Sequence, residues 1–317
     1  GQRVRIMGWL HRLRTMGGVN FLVVRDRAGL AQAVLSADDL AALEGLHAET
    51  VLAVTGRVVE TPQAPGGHEL YEAAVEIITP VRDAAPFALY KDRVRASLPV
   101  FLDHAVIGHR ALERRAVLRL AAAIMAGFRA ALDARDFTEI QTPKLVSSAT
   151  ESGANVFAVE YFGRTAYLAQ SPQFYKQIMV GVFERVYEVG PVFRAEPHAT
   201  SRHLNEYVSL DVEFGFIRDH TDVMELLTDV VRGILMHLES ACALELSALQ
   251  VKMPVLPAQV PAIHFPDAQQ LLHDRYGVRD VIGEPDLAPE HERLLGAWAK
   301  ETHGSDFLFV TGYPMIK

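Results

Sequence analysis

The chain has 317 residues, half of them hydrophobic, and a formal net charge of −8, which allows a sizeable core and two domains. No stretch approaches the roughly 20 apolar residues of a membrane span, so no membrane partner is expected. The single cysteine, Cys242, excludes an intrachain disulfide and fits a reducing cytoplasm, and the N-terminal GQRVRIMGWLHRL has no apolar leader segment or small-residue cleavage site.

The first 80 residues read as strands. RVRIMGWLHRL, NFLVVRDRAG, LAQAVLS, TVLAVTGRVVET and YEAAVEIITPV are rich in Val, Ile and Leu and are separated by Gly, Pro or Asp turns. ADDLAALEGLH predicts a small helix between the third and fourth. Five strands with one small helix predict an all-β Greek-key barrel of the OB type, whose face commonly binds single-stranded nucleic acid through aromatic and basic side chains. The acidic total argues against such a partner. Residues 1–35, however, hold six arginines (3, 5, 12, 14, 25 and 27) against Asp26, a net of +5. Because fields are screened beyond about 8–10 Å, a locally basic face can neutralise phosphates on an acidic protein. A solvated basic sheet surface is the alternative. Residues 82–109 mix charge and proline without clean periodicity and read as a hinge, 86–108, dividing a domain at 1–85 from one at 109–317.

Beyond the hinge the period becomes helical. Val117, Leu120, Ala121, Ile124, Phe128, Ala131 and Leu132 recur at three- and four-residue steps and predict one long amphipathic helix within 109–134. FTEIQTPKLV alternates until Pro143, which lacks a backbone donor and favours a strand end or edge. A second helix is predicted over about 222–240, and the runs AYLAQ, RVYEVGPVFRAE and YVSLDVEFGFI between the helices read as strands. Helices beside hairpin-like strands predict an α+β domain on an antiparallel sheet. Cys242 reads as a small buried hydrophobe.

The chain holds no GxxxxGK[ST] loop, no GxGxxG, no HExxH and no CxxC. Any nucleotide must therefore be held by side chains, and the segment FRAEPHATSRHLNEY, 193–207, concentrates the required groups. Arg194 can clamp a phosphate with its planar fork, Glu196 can accept from an amino group, and Tyr207 offers a ring for a purine to stack on. An exposed, ion-paired hairpin fits the same residues. Upstream, Gln173 and Lys176 stand three apart on the first turn of a predicted helix, hence on one face; Lys176 is either a ligand-facing cation or an ordinary solvated helix residue.

Taken together, FTEIQTPKL, ATESGANVFAVEYFGRTAYLAQSPQFYKQIM, VYEVGPVFRAEPHATSRHLNEYVSLDVEF and the N-terminal FLVVRDRAGLAQAV resemble the class II aspartyl-tRNA synthetases of the archaeal-like type, with barrel, hinge and catalytic domain in the family's order. Asparaginyl-tRNA synthetases share much of this pattern. The resemblance implies that Pro143 and the long helix before it belong to a homodimer interface. It implies ATP contacts at Arg194 (the catalytic α-phosphate contact), Glu196 (adenine amino group), Arg202, His203 (triphosphate tail) and Tyr207 (adenine ring). Glu151, Ser171, Gln173 and Asp211 would surround the α-ammonium group of aspartate, and Lys176 would pair with its side-chain carboxylate. On the barrel, Phe21 would stack on an anticodon base while Gln32 and Glu69 contact neighbouring base edges.

The reaction so implied is ATP- and Mg²⁺-dependent aspartate activation followed by transfer to tRNA. Relatives restricted to the aspartate tRNA tend to carry Trp where this chain has His11 and Lys where it has Pro65. The pair found here resembles relaxed enzymes that charge both tRNA(Asp) and tRNA(Asn), the second product then passing to an amidotransferase. Plain surface and turn roles for His11 and Pro65 are the alternative, as are a discriminating aspartyl or asparaginyl enzyme and a non-catalytic tRNA-binding paralogue for the whole chain. The family's third motif, with a second ATP-binding arginine and the acidic Mg²⁺ ligands, is expected beyond FLFVTGYPMIK, so no metal ligand is expected within the given residues.

Overall fold

The computed structural model describes residues 1–91, 93–150, 155–197 and 203–315. The chain divides into two compact units, Gly1–Leu118 and Arg119–Lys317.

In the first unit β1 (Arg3–Met16), β2 (Val19–Arg25), β3 (Leu30–Leu35), β4 (Val51–Glu60) and β5 (His68–Thr79) form a closed barrel in the order β1-β2-β3-β5-β4, with β4 returning to β1. Alternation sends Leu10, Leu22, Val24, Ala33, Leu35, Leu52, Val54 and Leu70 into one core, as a period of two requires. Gly17 and Gly18, at φ 58° and 79°, make the two-residue turn that pairs Met16 with Val19. Positive φ at both central positions is the hairpin geometry that glycine supplies without strain. A bulge between Leu10 and Arg12 shifts the register of β1 at His11.

Helix α1 (Ala37–Ala42) is shorter than the sequence predicts. Ser36 and Asp39 form its capping box, and Gly45, at φ 81°, turns the chain soon after Leu43 has entered the barrel core. The predicted hinge contains two helical pieces, α2 (Leu98–Asp103) and α3 (Ala105–Gly108). Six and four residues are too few to show a helical period. What fixes them is Phe101, buried with Phe87 stacked at 6.4 Å and the Arg114 guanidinium 4.6 Å above its ring.

Helix α4 (Leu112–Asp133) runs across the division between the units. After it come β6 (Thr138–Glu139), β7 (Leu145–Val146), β8 (Ala158–Tyr161), β9 (Arg164–Leu168), α5 (Gln173–Phe183), β10 (Arg185–Phe193), β11 (Glu206–Phe214) and α6 (His220–Ala241). The sheet that matters has the order β11-β10-β6, with β10–β11 antiparallel from Arg185↔Phe214 to Phe193↔Glu206 and β10–β6 parallel. Tyr187, Val189, Leu210, Val212 and Phe214 pack on Phe128 and Leu132 of α4 and Val230 of α6. The two helices approach so closely that a Cβ on Gly127 would lie 3.0 Å from the Ile234 Cα, and one on Gly233 would lie 2.9 Å from the Ala131 Cβ. Glycine is what admits the contact. Since this packing takes one face of the sheet, the residues between (Glu188, Gly190 and Val192, opposite Asp211, Ser209 and Tyr207) line the other.

Cys242 is buried where α6 meets α7 (Ala243–Ala248), packed with Ala123 and Leu238, as a small hydrophobe should be. The rest is a compact addition for which the sequence reading has no elements. It comprises β12 (Ala262–His264), α8 (Phe265–Tyr276), α9 (Pro289–His303) and β13 (Phe309–Thr311), around Phe265, Leu272, Val281 and Leu295.

Candidate active site and nucleic-acid face

The opposite face of the β10–β11 pair, on which Lys176 of α5 lies, carries the first cluster. Arg194 follows β10 in the same alternation as Glu188 and Val192, and its N–H donates to the Asn205 carbonyl at 3.0 Å, continuing the ladder beyond the assigned strands. Its guanidinium lies 6.0 Å from the Tyr207 ring centroid. A planar cation beside an aromatic face can hold a phosphate and a flat base side by side. That is the fit ATP needs. Glu196 is half-buried, with its N–H bonded to the Arg194 carbonyl at 2.8 Å, and His203 is half-buried just ahead of β11. Glu151 and Arg202 lie outside the described residues.

The second cluster stands at the start of α5. Ser171 is buried, its N–H reaches the Thr150 hydroxyl at 3.3 Å, and its own Oγ accepts from the Gln173 N–H at 3.1 Å. The fully buried Gln170 is tied to Thr150 in both directions, its Oε1 accepting from the Thr150 N–H at 3.2 Å while its own N–H reaches the Thr150 Oγ1 at 3.0 Å. One turn on, Lys176 is only 8% exposed, so it is no solvated helix residue. Its Nζ lies 3.1 Å from Asp211 Oδ1 and 3.4 Å from Glu213 Oε2. Two carboxylates on one ammonium leave a local excess of one negative charge, which the α-ammonium group of a bound amino acid can offset at Asp211, while Lys176 is the cation of this cluster that a side-chain carboxylate can meet.

Three charged residues in this region escape the sequence reading. Glu213 shares Lys176. Glu188, 2% exposed, accepts from the Thr142 N–H at 2.9 Å and its hydroxyl at 2.7 Å, and pairs with Lys144 at 3.0 Å. Through this network β10 is fastened to the segment around Pro143. A lone Glu inside the apolar run VYEVGPVF was the available signal, because a carboxylate in a buried strand needs a stated partner.

On the barrel, register places Arg14 opposite Phe21, and Gln32 opposite both Val23 and Glu69, on one outward face. Arg14 Nη2 donates to Gln32 Oε1 at 2.5 Å, Gln32 Nε2 donates to Glu69 Oε1 at 2.6 Å, and the Arg14 guanidinium lies 5.3 Å from the centre of the half-buried Phe21 ring. His11 is 5% exposed at the β1 bulge, and its Nδ1 has no hydrogen-bond partner among the described residues. Burial, then the charge of Arg25, lowers its pKa to about 4. Pro65 opens a 3₁₀ turn, Pro65–Gly67, between β4 and β5.

Among the described residues no group of three or more His, Cys, Asp or Glu could hold a metal ion, and no helix is long and apolar enough to cross a membrane.

Comparison with known proteins agrees with this geometry. Residues 99–317 match the class II tRNA synthetases (D, K and N), and residues 4–78 match the OB-fold nucleic acid binding domain. The chain is 47% identical over 314 residues to a protein of Deinococcus radiodurans named Aspartate–tRNA(Asp/Asn) ligase, covering 99% of this chain and 71% of that one. It is 45% identical to the protein of the same name from Thermus thermophilus, with 99% and 72% covered. Among solved structures, asparaginyl-tRNA synthetase from Pyrococcus horikoshii with asparaginyl-adenylate superposes with a TM-score of 0.87 at 28% identity, covering 99% of this chain and 72% of that one. A putative aspartyl-tRNA synthetase from Leishmania major superposes with a TM-score of 0.83 at 27% identity, with 99% and 71% covered.

Proposed function

Because the chain belongs to the class II tRNA synthetases of the D, K and N group, we propose that it is an aspartate–tRNA ligase that charges both tRNA(Asp) and tRNA(Asn). The buried Lys176, held between Asp211 and Glu213, carries this reading, because a cation in that position rewards a side-chain carboxylate and leaves an amide poorly matched. Asparagine charging is the competing reading, favoured by the likeness to the Pyrococcus enzyme. Names of relatives at 45–47% identity favour aspartate.

In the first step the aspartate α-carboxylate attacks the α-phosphorus of ATP, and pyrophosphate leaves with the electrons of the broken P–O bond. In the second, a terminal ribose hydroxyl of the tRNA attacks the activated carbonyl and AMP leaves. Arg194 holds the α-phosphate and offsets the charge that develops there, Tyr207 stacks on adenine, Glu196 accepts from its amino group, and Arg202 and His203 meet the triphosphate tail. Glu151, Ser171, Gln173 and Asp211 hold the α-ammonium group, and Lys176 holds the side-chain carboxylate. Positioning and charge stabilisation carry such chemistry without a protein nucleophile. The family uses ATP with a divalent cation, for which Mg²⁺ is the proposed ion. The described residues do not form a site for it, and no step here runs through it.

Residues 1–85 read the anticodon through Phe21, Gln32 and Glu69, with His11 and Pro65 leaving the third base loosely read, and 86–108 hinge them to a catalytic domain at 109–317. We place the enzyme in the cytoplasm as a homodimer whose misacylated product is consumed by an amidotransferase. Pyrophosphate exchange on the full chain tests the activation step. Exchange should depend on aspartate and be far weaker with asparagine; equal exchange with the two amino acids would refute the assignment.

A further inference from the structure

The outward face that carries Phe21 does not end there. Going back along β1, and forward along β2, the same face presents Arg14 opposite Phe21, Arg12 opposite Val23 and Trp9 opposite Arg25. At its far end lies a cavity of about 360 Å³, lined by Trp9, Arg25, Arg27, His109, Arg110 and Arg115 together with Asp26. Arg25 stands four positions beyond Phe21 in β2, so the cavity begins about 13 Å from the stacking ring at ~3.3 Å per residue.

Its charge is unbalanced. Arg25 is buried and spends its fork on Glu49, at 2.7 and 2.8 Å, and Arg110 takes the same carboxylate at 2.8 Å. Asp26 turns its Oδ1 to the backbone N–H groups of Ala28 and Gly29, at 2.7 and 2.9 Å. Four arginines (25, 27, 110 and 115) against Glu49 and Asp26 leave a net of +2. The Arg115 Nη2 donates to the Arg27 carbonyl at 3.0 Å, which fixes the start of α4 against the β2–β3 turn, and Arg27 itself is exposed at the rim. His11, buried nearby in the field of Arg25 and Arg115, adds no charge at neutral pH.

Resting on the reading of this barrel as an RNA-binding face, we propose that the cavity is a second subsite of that face, taking a backbone phosphate of the RNA strand that leaves the base stacked on Phe21. An RNA phosphate is favoured over a free polyphosphate because the cations continue the same sheet face, through Arg12 and Arg14, without a break. A phosphate contact carries affinity and salt dependence but no sequence information.

The test is the binding of tRNA(Asp) transcript to the full chain over about 50–200 mM salt, for wild type, Arg27→Ala and Arg27→Lys. Losing one phosphate contact should lower the slope of log K against log salt by about 0.7–0.9 and weaken binding roughly five- to tenfold near 0.1 M salt. The loss should be equal for transcripts with altered anticodon bases, and Arg27→Lys should recover most of it. If wild type binds while Arg27→Ala keeps both slope and affinity, the proposal is overturned. It is equally overturned if inorganic tripolyphosphate binds the wild-type cavity and Arg27→Ala abolishes that binding without changing RNA affinity. Absence of any tRNA binding by wild type would instead sink the RNA-binding reading on which the subsite rests.

Discussion

The two faces differ in how their polar groups are satisfied before any ligand arrives. On the barrel, both ends of the Gln32 amide are already engaged, by Arg14 and by Glu69, and all three residues sit on neighbouring strands of a closed ring. On the catalytic sheet, one lysine faces two carboxylates, and the three charges come from α5 and β11, 35 or more residues apart. Around Gln32 the barrel face is complete, and a ligand rearranges contacts that exist. The sheet face carries an excess negative charge, which the α-ammonium group of a bound amino acid offsets. Substitutions should therefore cost far more at the second than at the first.

Lys176→Met breaks that difference most severely. It leaves Asp211 and Glu213 facing each other without a cation, and breaking a buried pair from one side costs about 3–5 kcal/mol. Aspartate-dependent pyrophosphate exchange should fall by a factor on the order of 10²–10³, while affinity for tRNA, measured by filter binding, stays near wild type. Equal loss of both would mean that Lys176 supports the fold rather than the substrate.

A smaller effect belongs to His11, buried at the β1 bulge. His11 is neutral in the folded state, with a pKa of about 4 against an ordinary value of 6.5, because burial and Arg25 disfavour its charged form. A depressed value means that the unfolded chain binds the extra proton first. Stability is therefore full above about pH 6.5 and is lost as pH falls toward 4, by up to about 3 kcal/mol. His11→Gln should flatten that part of the barrel's denaturation profile between pH 7 and pH 4, and an unchanged pH dependence would place His11 in contact with solvent.

Smaller again, Phe21→Ala should weaken tRNA charging by about 1–3 kcal/mol, the worth of one stacked base, and leave pyrophosphate exchange intact. A parallel loss in exchange would erase the separation between the two faces.

The same contrast governs what could be read from the sequence. The barrel was legible because its strands are long, its hairpins local and its alternation clean, and the stripe on α4 and α6 was legible for the same reason. The parallel pairing of β6 was not, since two residues have no period. Helices α8 and α9 did carry signals, a proline in the first turn of each and Gly277 and Gly304 in left-handed conformation just past their ends, but their stripes are diluted by charge. In the site, Arg194, Tyr207 and Lys176 stood out by residue type, whereas Glu213, Glu188 and Lys144 acquire meaning only through partners. Glu188 is 44 residues from Lys144 and 46 from Thr142, so its place in an apolar run announces that it needs a partner but not which one.

The proposed charging of two tRNAs is tested by catalytic efficiency of aspartylation, compared on unmodified tRNA(Asp) and tRNA(Asn) transcripts with the full chain. The two values should agree within about tenfold, or ~1.4 kcal/mol, if His11 and Pro65 leave the third anticodon base loosely read as proposed. A preference of about a hundredfold or more for tRNA(Asp), roughly 2.7 kcal/mol, or no aspartylation of either transcript, would contradict it.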